Sequence, residues 1–223
     1  MNITYLELSA KDLQAQQDFY ANILELPVSL ESSILQVRAG QTNLVFTQAP
    51  SEFEGAYHFA FNIPENRFLA AKEWISARVP LLRDENGKDE FHFETWNSQS
   101  VYFKDKVGNI LEFIARHNLK NPVDAEFDSK QILNVSEIGL PSEDVLDLTD
   151  KLCRLLELSV FRQEPNESFT AVGDDDGLFI LPVKDRIWIP NTGVPAKPLP
   201  VKVKGEANGR DWEVRGVPYE IIA

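Results

Sequence analysis

A single cysteine, Cys153, stands among 223 residues, which excludes an internal disulfide. It lies within a helical pattern, where a thiol reads as a small buried or half-buried hydrophobe. Basic residues are also scarce: 22 Lys and Arg against 35 Asp and Glu give a net charge of −13. So acidic a surface repels phosphate backbones and anionic lipid, which argues against nucleic-acid and membrane-surface roles. No apolar run approaches membrane-spanning length, and Met1-Asn2-Ile3-Thr4 opens straight into a strand pattern without a basic leader. The cytoplasm is the expected compartment. What remains is ordinary for a globular protein, 43% apolar and 26% charged, enough to bury a core in one large domain or two small ones.

Against this background Glu112 is unusual. It is the only charged residue between Ile110 and Ala115, and a carboxylate in an apolar strand is costly unless a cation or hydrogen-bond donor meets it. The preceding Asp105-x-x-Gly108-Asn109 is a turn composition, so Val101–Ala115 reads as strand, turn, strand.

Internal repeats organise the chain. An offset of 132 aligns Leu6–Leu13 with Ile138–Val145 and brings Leu24-Glu25-Leu26 onto Leu156-Glu157-Leu158. Each copy reads as a strand, a helix opening near Asp12 or Asp144, and a hairpin. A weaker copy starts at Tyr57-His58-Phe59-Ala60-Phe61, with a helix around Phe68–Ala77, and ends at Glu112–Ala115. A fourth trace pairs Gly108-x-x-x-Glu112 with Gly216-x-x-x-Glu220; its proline-rich approach (Pro190, Pro195, Pro198, Pro200) predicts no helix. The expected fold is therefore α+β, with paired βαβββ units forming cup-shaped, mainly antiparallel sheets and a degenerate fourth unit. The expected division is 1–117, a linker over 118–130, and a second, eroded domain over 131–223, each domain pairing its own two units.

Paired βαβββ units ending in Asp-x-x-Gly-Asn-x-x-Glu resemble the vicinal oxygen chelate superfamily, which includes glyoxalase I, fosfomycin- and bleomycin-resistance proteins and extradiol ring-cleaving dioxygenases. Asp12-x6-Phe19-Tyr20-x3-Leu24-Glu25-Leu26 resembles the family's opening, and His92…Val101-Tyr102-x-x-Asp105-x-x-Gly108-x3-Glu112 is similar to the extradiol pattern. Lys106 departs from it, standing where the family usually has proline. The resemblance implies metal ligands at Tyr5, His58 and Glu112, with Tyr5 in a position where a histidine is usual. Glu7, on the same strand face as Tyr5, would compensate, giving one histidine and two carboxylates for Fe(II) or Mn(II). It further implies acid–base catalysis by His92 beside Tyr102.

Strand alternation supports this gathering: His58, Ala60 and Asn62 share one face, with Phe59, Phe61 and Ile63 opposite. Each assignment has a plainer alternative. His58 and Glu112 pair directly without metal, and His92 faces water on an alternating strand. His117 reads as an exposed linker residue. Glu137, Glu220, Trp188 and Trp212 read as structural, and Asp174-Asp175-Asp176-Gly177 as a hairpin turn rather than a calcium loop. Three roles follow: a metal-dependent oxygenase or lyase on a small oxygen-bearing substrate, a metal-free small-molecule binder of the bleomycin-resistance type, or an assembly protein forming a homodimer through exposed strand edges.

Overall fold

The computed structural model describes residues 1–223. The first unit runs β1 (Asn2–Ala10), α1 (Leu13–Asp18), β2 (Val28–Glu31), β3 (Ile34–Ala39) and β4 (Thr42–Gln48). The second runs β5 (His58–Ile63), α2 (Phe68–Ser76), β6 (Phe91–Phe93), β7 (Ser98–Lys104) and β8 (Ile110–Arg116). The third has β9 (Asn134–Gly139), α3 (Val145–Leu156), β10 (Phe169–Asp174) and β11 (Gly177–Pro182). The last is reduced to β12 (Val201–Ala207), β13 (Arg210–Gly216) and β14 (Glu220–Ile222), without a helix.

The helix starts follow capping chemistry. Asp12 accepts from the Ala15 amide (2.8 Å) and Asp144 from the Asp147 amide (2.9 Å), each satisfying a first-turn donor that the helix itself leaves free. The second helix begins at Phe68, slightly beyond Glu65, and its N-cap residue Arg67 makes no side-chain cap. Phe68, Ala71 and Ile75 form its buried face.

Two seven-stranded mixed sheets result, ordered β14-β13-β12-β1-β4-β3-β2 and β10-β11-β9-β5-β8-β7-β6. Together with three helices they form the α+β, cup-shaped βαβββ architecture expected. The pairing of units differs from that expected from chain order. The first unit joins the fourth through antiparallel β1 and β12, and the second joins the third through antiparallel β5 and β9. The physical reason lies at the strand edges. β5 already pairs with β8 on one side, so its other edge is free for β9, which follows β8 in the chain after the 117–133 connection.

A cluster of 45 buried apolar residues contains side chains from all four units, among them Leu6, Phe59, Phe113, Ile138, Val203 and Trp212. Phe59, Phe61, Phe113 and Ala115 face it from β5 and β8, so the opposite faces of these two fully buried strands hold His58, Ala60, Asn62, Glu112 and Arg116.

Candidate metal centre

Three strands converge on the cup floor. Ala60 of β5 lies opposite Glu112 across the parallel β5–β8 pair and opposite Glu137 across the antiparallel β5–β9 pair. The two carboxylates thus flank a methyl group in one row, and His58 projects from the same face one side-chain step along β5. A bulge sets the phase of β9. Phe61 pairs with Val135 and Phe59 with Ile138, and both partners enter the core although three residues apart. The extra residue turns Glu137 onto the cup side.

The turn that marked Glu112 in the sequence also anchors the floor. The Asp105 carboxylate accepts from Gln16 Nε2 (2.7 Å), from Asn109 Nδ2 (2.8 Å) and from the Asn109 and Val107 amides. Asn109 Oδ1 in turn accepts from the Tyr57 amide (2.9 Å), fixing the chain just before His58. Gly108 takes φ +93° there, a conformation that L side chains rarely adopt.

His58, Glu112 and Glu137 are buried, and one ligand atom from each lies within 4.8 Å of the others. His58 Nδ1 faces the Ile110 carbonyl at 3.2 Å. A carbonyl only accepts, so Nδ1 carries the proton and Nε2 is left facing the carboxylates. Nε2 stands 3.6 Å from Glu112 Oε2 and 3.9 Å from Glu137 Oε2. These separations are long for hydrogen bonds. Ligands at about 2.0–2.2 Å from one ion sit roughly 3–3.6 Å apart, so the group fits a divalent cation with little adjustment. In the second unit Glu112 follows His58 by one step across the β5–β8 pair; the equivalent place beside Glu137 is Ile180. The fourth position is thus apolar, leaving three candidate ligands facing the cavity.

Electrostatics match this arrangement. Burial, reinforced by the Glu137 charge, pushes Glu112 up to about 8, against the pull of His58 and Arg116. Burial alone would lower His58; the facing negative charges of Glu112 and Glu137 outweigh it and raise the imidazole. Both groups therefore favour holding a proton, the proton that a cation would displace. Arg116, wholly buried, donates from Nη2 to Glu137 Oε1 and from Nε to Asn62 Oδ1 (3.2 Å).

Above the floor opens a cavity of about 370 Å³ whose walls include Phe93, Trp96, Tyr102, Phe169 and Trp188. Tyr102 pairs in register with Glu112, and its phenol is held well above its usual range by burial and by the Glu112 and Glu137 charges. His92 is exposed on β6 and lines the same cavity.

Of the residues singled out in the sequence, His58, Glu112, His92 and Tyr102 are brought together here. Tyr5 and Glu7 are not. They stand on β1 in the other sheet, where the Tyr5 hydroxyl donates to Glu7 and the ring lies 6.0 Å from Lys204 Nζ. The expectation that they share the cavity is corrected by the unit pairing, since the strand beside β5 is β9 and not β1. Glu137 takes the third place. Its signal was present in the sequence, because the repeat puts Glu137 at the first-strand position of the third unit, as His58 is in the second. Trp188 is likewise a cavity wall, its ring 4.9 Å from that of His58. His117 Nε2 donates to Gln99 Oε1 at 3.0 Å, away from the floor, and Glu220 pairs with Arg215 on an exposed strand.

No family model matches the sequence, and no curated protein does. Solved structures do. A Bacillus subtilis protein assigned as a dioxygenase superposes with a TM-score of 0.60 at 18% identity, covering 82% of this chain and 64% of that one. Glyoxalase I from Zea mays superposes at 0.53 with 12% identity, covering 82% and 66%. A Listeria monocytogenes fosfomycin resistance protein complexed with Mn(II) matches over 51% of this chain and 87% of its own at a TM-score of 0.40 and 23% identity. The chain spans slightly under two thirds of the first two proteins. The chain shares the fold of the first two structures, the vicinal oxygen chelate fold.

Proposed function

We propose that this chain, with the fold of the vicinal oxygen chelate superfamily, is a divalent-metal-dependent enzyme of the ring-cleaving dioxygenase type. Its substrate would be a small aromatic molecule carrying two adjacent oxygens. The observation that carries this reading is the convergence of His58, Glu112 and Glu137 at the floor of an aromatic-walled cavity. One imidazole and two carboxylates form a hard donor set suited to Mn(II) or Fe(II), and the cavity volume suits a single substituted ring. A bound cation supplies Lewis-acid charge for the two substrate oxygens.

The chain's own residues account for the rest. The aromatic walls orient the ring and exclude water. His92, at the cavity edge, accepts a substrate hydroxyl proton and returns it. The Tyr102 phenol, kept protonated by its surroundings, donates a hydrogen bond beside Glu112. The test is anaerobic loading with Fe(II), followed by air and catechol. A ring-opened chromophore that is lost in His58→Ala supports the proposal. Metal uptake with isomerised or lyase products moves the chain to the glyoxalase type.

A second reading rests on Arg116. With His58 protonated, Arg116 and His58 balance Glu112 and Glu137, so the floor also closes without a cation. Quenching of Trp96 and Trp188 fluorescence by an aromatic ligand, with no uptake of Fe(II) or Mn(II), would favour this binding role.

A further inference from the structure

Arg116 is the largest wholly buried side chain, and it does not line the cavity. Its guanidinium lies 5.7 Å from the Trp96 ring and 5.8 Å from the Phe161 ring, with no exposed surface. An arginine placed solely to neutralise a buried carboxylate commonly engages both oxygens through its fork. Here only Glu137 Oε1 is taken, Nη1 has no partner, and Glu137 Oε2 remains turned toward His58. The guanidinium thus holds Glu137 by one oxygen and leaves the other for the centre.

The charge count gives this a consequence. Two ionised carboxylates and a neutral imidazole cancel the charge of a divalent cation in the bare donor set. Arg116 adds one buried positive charge beside it. A set of two imidazoles and one carboxylate around the same cation carries that same single positive charge. We propose that Arg116 is a positioning residue that fixes Glu137 as a one-oxygen ligand and sets the loaded centre at one net positive charge, so that the cavity selects substrates chelating as anions over neutral ones. This rests on the metal-centre reading above.

The experiment compares wild type with Arg116→Gln, which keeps hydrogen-bonding capacity without charge, and Arg116→Lys, which keeps the charge. Mn(II) binding is read by electron paramagnetic resonance, and 4-nitrocatechol binding to the Mn(II)-loaded protein by its visible absorbance. Thermal unfolding checks that each variant is folded. Arg116→Gln should hold Mn(II) as tightly as wild type or tighter, because a competing cation has gone, yet bind the nitrocatecholate about tenfold or more weakly. Arg116→Lys should restore nitrocatecholate binding to within about threefold of wild type. Unchanged nitrocatecholate affinity in Arg116→Gln overturns the proposal. So does a parallel fall in Mn(II) and nitrocatecholate binding in both variants, or loss of folding in both, since each assigns Arg116 a purely structural role. If wild type takes up no Mn(II), the metal-centre reading itself fails and takes this inference with it.

Discussion

Replacing Glu112 by Gln should stabilise the metal-free protein above neutral pH while destroying its ability to hold a cation. Glu112 is buried, and in the fold its carboxyl is pushed up to about 8 by burial and by Glu137. A carboxyl raised in the folded state contributes stability that is complete below its unfolded value and is lost as pH rises through the folded value. The window here runs from about 4.5 to about 8. His58, also raised, loses its contribution in the same direction as pH climbs past neutrality. One pKa unit corresponds to about 1.4 kcal/mol. Sharing of the proton with His58 reduces the Glu112 effect to roughly 2–4 kcal/mol at pH 8.5. For a chain of this size that is on the order of 5–15 °C in Tm. The assay is thermal or urea unfolding of wild type and Glu112→Gln with chelator present, at pH 5 and pH 8.5. The variant should gain at pH 8.5 and converge on wild type at pH 5. A variant less stable than wild type at pH 8.5, or a difference independent of pH, would refute the assignment of Glu112 as a buried acid whose carboxyl is raised in the fold.

Two further outcomes follow from the same floor. Ala60→Leu introduces three carbons between Glu112 and Glu137 and should cost about 1–3 kcal/mol by overpacking, while lowering Mn(II) affinity at least a hundredfold in calorimetry; unchanged affinity would mean that the cation sits elsewhere. His92→Gln should leave Mn(II) binding within about twofold but slow turnover by about 10²–10⁴, and a parallel loss of Mn(II) would make His92 a ligand rather than an acid–base group.

Much of this centre was legible in the sequence because local rules govern it. Alternation placed His58 opposite Phe59 and Phe61, and the apolar context of Glu112 demanded a partner for it. The caps at Asp12 and Asp144 and the helix-free fourth unit likewise follow from local chemistry. The third member of the centre was not legible in this way. Four similar units can pair edge to edge in more than one arrangement, and the first strands β1 and β9 both suit the free edge of β5. Chain order favours neighbours within residues 1–117 and so Tyr5; the actual edge contact gives Glu137. The bulge between Val135 and Ile138 compounds this, since simple alternation from Val135 would send Glu137 into the core with it. Arg116 was hidden for another reason: at the end of an apolar strand it looks like a terminal solvated charge, and only the β9 pairing supplies its partner.

The central claim is that the cation-binding set is His58, Glu112 and Glu137, drawn from the second and third units. Mn(II) titration of wild type, Glu137→Gln and Tyr5→Phe by calorimetry tests it most directly. The account predicts near-stoichiometric binding by wild type and by Tyr5→Phe, with at least a hundredfold loss in Glu137→Gln. Loss of binding in Tyr5→Phe with Glu137→Gln unaffected would contradict it.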